Sequence, residues 1–220
     1  MLDATFFEKC AFVCVDIQEG SRGEHATDDK LPQDWIEMGF TADDVNAASD
    51  YAWDVALPNA LRVVEACRAK GIPMIFIHWG YQLRDAMDLD PAIRRMRLRN
   101  HGEDPLKWDG HVTSPGARPY SGFNVRENEY VIAKTAQDSF ISSNLVFVLS
   151  NLGVHKLILI GGHTEACLGK TATSARRLGF ETLCVHDATN NARESSRMRG
   201  IKGAQFDHVV STDDLLKLMG

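Results

Sequence analysis

No apolar run in this sequence comes near the roughly 20 residues that a membrane-spanning helix needs, so a bilayer is not an expected partner. The first ten residues, MLDATFFEKC, lack the basic start and long apolar core of a secretory signal. There is no Cys-x-x-Cys motif, and the five cysteines (Cys10, Cys14, Cys67, Cys167 and Cys184) show no paired spacing. That argues against a disulfide scaffold and a dithiol oxidoreductase, and reduced thiols point to a cytoplasmic chain. No strand-GxGxxG-helix motif or phosphate-cradling loop occurs, which leaves nucleotide cofactors unsupported. Positive charge is scarce too: 24 Lys and Arg against 30 Asp and Glu give a net charge of -6. Nucleic acid is therefore not an expected partner either.

What is present suits one sizeable globular domain spanning 1–220, with 44% hydrophobic and 25% charged residues in 220. Short continuous apolar runs at 11–17, 73–77, 129–133, 155–160, 181–186 and 206–210 have the character of strands buried on both faces. Helical patterns fall between and after them, at 52–70, 91–100, from 139 or 141 to 152, and at 164–178, 194–202 and 212–219. The alternation predicts a three-layer α/β/α fold around a doubly wound, six-stranded, mostly parallel sheet. Two long polar segments interrupt it. Segment 19–50 predicts a loop with one short helix near 32–38, and 80–126 a loop around the 91–100 helix. Connections of this length serve as lids or subunit contacts. The arginines of the second (Arg84, Arg94, Arg95, Arg97 and Arg99) fit a solvated or subunit face, or an acidic substrate.

Three residues stand at or just beyond predicted strand ends: Asp16, Lys134 and Cys167. In a parallel sheet those ends open into one crevice, where ligands bind. Taken singly, Asp16 suits a loop cap as well as a catalytic carboxylate, Lys134 a surface lysine, and Cys167 a core thiol. Taken together they form a chemical set. Asp16 takes the thiol proton, Lys134 stabilises negative charge, and Cys167 attacks an electrophilic carbon. Cys167 lies in the first turn of a predicted helix, where free backbone N–H groups favour a thiolate and can bind an oxyanion.

The chain resembles the isochorismatase-like cysteine hydrolases. The residues that carry the resemblance are Val15-Asp16-Ile17-Gln18, Lys134 with Ser139-Phe140, and Gly161-Gly162-His163-Thr164-Glu165-Ala166-Cys167. The resemblance implies that Asp16, Lys134 and Cys167 are a catalytic triad working through a covalent acyl-enzyme. It also implies a cis peptide at Gly162-His163, in a turn held by Thr164 that aims N–H groups at the substrate oxygen. Nicotinamidases of this family carry an Asp-x-His metal site with further histidines after the second strand. Here that region is His78-Trp79-Gly80-Tyr81, so neither a metal nor another cofactor is expected. Isochorismatases commonly lack the cysteine, so Cys167 favours hydrolysis of a C–N bond in a small amide, carbamoyl or ureido compound. A vinyl-ether hydrolase and a non-catalytic binding protein are the alternatives. Candidate substrate contacts are Arg22, Trp79, Tyr81, Phe123, Phe140 and His163, and His163 stands where a small apolar residue is usual. The expected partners are a small-molecule substrate and further copies of the chain, as a homodimer or homotetramer.

Overall fold

The computed structural model describes residues 2–20, 22 and 24–220; positions 21 and 23 of the first long segment lie outside the described residues. Strand β1 (Cys10–Val15) is buried along its whole length. It is hydrogen-bonded in parallel to β2 (Met74–Trp79) on one side and to β4 (Lys156–Gly161) on the other. Strand β3 (Tyr130–Lys134) lies beyond β2, while β5 (Glu181–Thr189) and β6 (His208–Val210) lie beyond β4. The order is β3-β2-β1-β4-β5-β6 and every pairing is parallel.

The alternation of side chains along the strands divides the core in two. Phe12, Cys14 and Phe76 meet the apolar face of α3 (Leu57–Ala69) and that of α8 (Thr212–Met219). Ala11, Val13, Val15, Ile75 and Ile77 meet α5 (Leu145–Leu152), α6 (Cys167–Arg177) and α7 (Glu194–Ala204) on the opposite side. Each fully buried Val, Ile or Phe among them contributes roughly 1.5–3 kcal/mol. From β1 the chain winds outward through β2 and β3, then returns beside β1 as β4 and winds the other way. The strand order therefore reverses between β1 and β4, and a crevice opens beyond their C-terminal ends.

The long segments are more regular than the sequence suggests. The first holds α1 (Gln33–Glu37) and also α2 (Ala42–Tyr51), a helix that its polar, alanine-rich composition disguises as loop. A reciprocal cap starts α2. Thr41 accepts from the Asp44 N–H, and the Asp44 carboxylate accepts from the Thr41 N–H. A π-helical turn at Ala52–Ala56 then joins α2 to α3. The second segment holds α4 (Pro91–His101), whose first N–H groups are capped by Asp90. It also has its own small core of Tyr81, Ala86, Leu89 and Trp108. The helix expected from 164 begins at Cys167, and the one expected from 139 or 141 begins at Leu145.

Candidate active site

At the end of β1 the chain turns at Asp16, whose φ of 56° lies in the left-handed region. An L-residue held there stores roughly 1–3 kcal/mol of strain, a cost typical of functional positions. Its N–H still donates to Ile77 O at 2.9 Å, so the turn is anchored to β2. At the end of β4, Gly161 has a φ of 108°, and a Cβ there would collide with Val15 O. A Cβ at Gly162 would collide with the side chain of Asn190. Glycine is thus required where the two central strands and the chain after β5 crowd together. The Gly162-His163 peptide is cis. Thr164 secures the next step: its N–H donates to Asn190 O and its hydroxyl to Arg197 O, at 3.1 and 3.0 Å.

Helix α6 follows directly. The N–H groups of Ala166 and Leu168 both donate to His163 O, at 3.0 and 3.1 Å. The N–H of Cys167, between them, makes no hydrogen bond within the described residues. Lys134 enters from β3 with its side chain wholly buried. Its ammonium donates to Asp16 Oδ2 at 2.8 Å, to Cys167 Sγ at 3.2 Å and to Ala136 O at 3.2 Å. All three ammonium protons are thereby used. The Trp79 ring lies 4.6 Å from the same nitrogen, adding a cation–π contact.

Asp16, Lys134 and Cys167, from three separate parts of the chain, therefore meet at one point. Their electrostatics differ from the thiolate expected of a cysteine at a helix start. Burial pushes the Cys167 thiol up to about 12; the Asp16 charge adds to this, and Lys134 opposes it. The resting site holds a neutral thiol beside an Asp–Lys ion pair. Asp16 Oδ1 is buried and has no hydrogen-bond partner, so one carboxylate oxygen remains free to receive a proton.

The three side chains stand in or under a cavity of about 400 Å³. Trp79, Gly162, His163 and Cys167 form its base, and Trp35 of α1 and Ile93, Met96 and Arg97 of α4 form its walls. The two walls are tied together, because Asn100 Nδ2 donates to Asp34 Oδ1 at 2.9 Å. Burial lowers the pKa of His163, with Lys134 acting in the same direction and Asp16 against it. His163 is nonetheless exposed where it lines the cavity, which limits that loss of hydration.

Of the candidate substrate contacts, the structure brings Trp79 and His163 to this cavity and places the other four elsewhere. Arg22 is exposed and ion-paired with Asp50 and Asp54. Tyr81 turns into the small core of the second segment, where its hydroxyl donates to Pro105 O. Phe123 packs on Phe76 beneath the sheet, and Phe140 on Phe180 under α6. All three aromatics follow the apolar drive into a core rather than facing solvent-filled space. Trp35, Ile93, Met96 and Arg97 were not separable from solvated helix faces by sequence; the 3–4-residue spacing of Ile93, Met96 and Arg97 on α4 is the signal that would have found those three. Asn190 gave no signal of its own.

Among the described residues, no three His, Cys, Asp or Glu side chains are disposed to hold a metal ion. The one Asp-x-His triplet, Asp109-Gly110-His111, lies in the second long segment. Its histidine bonds Thr113 Oγ1 at 2.7 Å and Gln82 O at 2.9 Å. His78 is buried, its Nδ1 has no partner, and burial lowers its pKa.

A doubly wound parallel sheet with these three side chains at its switch point defines a class, and comparison with known proteins agrees. Residues 10–214 match the isochorismatase domain. The chain belongs to the isochorismatase family. It is 32% identical over 137 residues to a probable inactive nicotinamidase of Arabidopsis thaliana, covering 60% of this chain and 66% of that protein. It is 23% identical over 180 residues to an N-carbamoylsarcosine amidase of an Arthrobacter species, covering 76% and 62%. The chain thus spans about two thirds or less of the length of these curated relatives. Among solved structures, an isochorismatase family protein from Desulfovibrio vulgaris superposes with a TM-score of 0.69 at 20% identity, covering 95% of this chain and 98% of that one. No helix among the described residues is long and apolar enough to cross a membrane.

Proposed function

We propose that this protein is a cysteine-dependent hydrolase that cleaves a C–N bond in a small amide, carbamoyl or ureido compound. The observation that carries this reading is Lys134, whose buried ammonium bridges the Asp16 carboxylate at 2.8 Å and the Cys167 sulfur at 3.2 Å beneath an open cavity. The name of the Arthrobacter relative, an amidase, points the same way.

In this mechanism the neutral thiol gives its proton to Asp16 as sulfur bonds to the substrate carbonyl carbon. Positioned base catalysis of this kind is worth roughly 10²–10⁴ in rate. The carbonyl π electrons move onto oxygen, and the unpartnered Cys167 N–H at the helix start stabilises that oxyanion. When the oxyanion collapses, the C–N bond breaks and the leaving nitrogen takes the proton from Asp16. Water then adds to the thioester, again losing its proton to Asp16. The C–S bond breaks, the acid product leaves, and the proton returns to sulfur. Lys134 stays charged throughout and steadies each anionic stage.

Ammonia release from a panel of small amides and ureido compounds tests this reading. Cys167→Ala should abolish release, a loss of at least about 10³-fold. A vinyl-ether hydrolase would keep its activity without the cysteine. A folded protein with Cys167 reduced and no turnover of any panel member would sink the proposal.

A further inference from the structure

The turn that carries Cys167 is held from outside helix α6 as well as from within it. Three side chains, Glu165, Asn191 and Ser196, do much of this, and none of them lines the Cys167 cavity. The Glu165 N–H donates to Asn191 Oδ1 at 3.3 Å, and Asn191 Nδ2 donates back to Glu165 Oε2 at 3.0 Å. Asn191 Nδ2 also donates to Ser196 Oγ at 2.8 Å, and the Ser196 hydroxyl donates to the same Oε2 at 2.8 Å. Arg199 donates to the other oxygen, Oε1, from two nitrogens at 3.0 and 2.9 Å. Burial pushes the Glu165 carboxyl up, but the hydrogen bonds from Asn191 and Ser196 and the Arg199 charge outweigh it and hold the group below its ordinary range. Asn191 and Ser196 are themselves buried. Gly200 of α7 presses on the same peptide, since a Cβ there would collide with Thr164 Oγ1 and the Glu165 nitrogen.

A buried polar cluster adds little net stability over apolar groups of the same shape. What a fully satisfied one adds is a fixed geometry. Glu165 stands two residues before Cys167, so a rotation of its peptide carries the Cys167 N–H and sulfur with it. We propose that Asn191 is a positioning residue of this site: its two-point clasp on Glu165 fixes the turn so that the Cys167 N–H and sulfur face a carbonyl bound in the cavity. This rests on the hydrolase reading above. Asn191 acts only through the turn, because it does not line the cavity where the reacting atoms meet. Without the clasp Thr164 stays bonded to Asn190 O and Arg197 O, and the chain beyond it is free to swing.

Two measurements on the full-length protein test this, with Asn191→Ala set against the unmodified chain. In ammonia release from the amide and ureido panel, kcat should fall roughly 10- to 100-fold while KM stays within about two-fold, as expected when reacting groups are misplaced by up to about an ångström. In hydrogen–deuterium exchange, the Glu165 amide should exchange faster by about 10-fold or more while β1 and β4 keep their protection. Asn191→Asp keeps an acceptor for the Glu165 N–H but sets two carboxylates face to face, so it should be slow as well. Adding Glu165→Gln restores a donor opposite the new carboxylate and should recover much of kcat, a coupling that independent sites would not show. Unchanged kcat with a lowered Tm would make Asn191 merely structural and overturn the inference, as would faster exchange spread evenly over the chain. If no panel compound is hydrolysed, the hydrolase reading falls and exchange alone decides the clasp: quickening confined to the turn upholds it, and unchanged exchange at Glu165 refutes it. Should Asn191→Ala fail to fold, the same two readouts are taken on Ser196→Ala, which removes a single hydrogen bond from Glu165 Oε2 and should shift both in the same direction by less.

Discussion

The base and the walls of the cavity are built by different means. The base comes from the ends of β1, β3 and β4, where Asp16, Lys134 and the turn before Cys167 are fixed by strand pairing and by the glycines at 161 and 162. The walls come from α1 and α4, short helices on long connections, joined by one hydrogen bond from Asn100 to Asp34. Rigid strands place reacting atoms to within fractions of an ångström, whereas segments outside the sheet can vary without disturbing it. Under the proposed function, the reaction type therefore belongs to the sheet, and the choice of substrate to the connections.

Three substitutions test this division, starting with the largest expected effect. Asp16→Asn removes the proposed base and should cut hydrolysis by about 10³-fold or more, near the upper range for general base catalysis. The same change removes a charge that holds the thiol proton on, leaving Lys134 to favour the thiolate. Alkylation of Cys167 by iodoacetamide near pH 8 should therefore speed up as turnover falls. Slower alkylation in the variant would show that Asp16 does not control the sulfur. The direction in pH follows as well: with the wild-type thiol near 12, alkylation should still be rising with pH at the upper end of the protein's stable range.

Gly162→Ala attacks the framework of the base. The added methyl meets the Asn190 side chain, and overpacking of this kind costs typically 1–3 kcal/mol. A lower denaturation midpoint with a disproportionate loss of kcat is expected; unchanged kcat would mean that the turn does not set the reacting geometry. Asn100→Ala should have the smallest effect. Loosening α1 from α4 removes one hydrogen bond, worth about 1 kcal/mol, so KM should rise several-fold while kcat holds. A fall in kcat alone would blur the line between wall and base.

The same division explains what was legible in the sequence. Buried parallel strands announce themselves as continuous apolar runs, and a charged or nucleophilic residue closing such a run stands out. Asp16, Lys134 and Cys167 were visible for that reason, and so was the order of the elements. Tyr81, Phe123 and Phe140 show the limit. Each lies near a strand end or in a long connection, but proximity along the chain does not say which way a ring turns, and all three turn into a core. Helix α2 was hidden because a polar, alanine-rich helix lacks a strong apolar stripe; its capping pair, Thr41 and Asp44, was the available sign. Arg97 was one of five similar arginines until tertiary packing brought it, alone of the five, to the cavity.

The neutral resting state of Cys167 has a consequence outside the catalytic cycle. Peroxide and most electrophiles attack thiolates, and a thiol held near 12 presents almost none at neutral pH. Oxidative inactivation should be slow in the empty protein even though the cavity is open. In the mechanism proposed above, the sulfur becomes a strong nucleophile only as its proton passes to Asp16 during attack on a bound carbonyl. Durability in an oxidising environment would then come from the same ion pair that equips the site for hydrolysis.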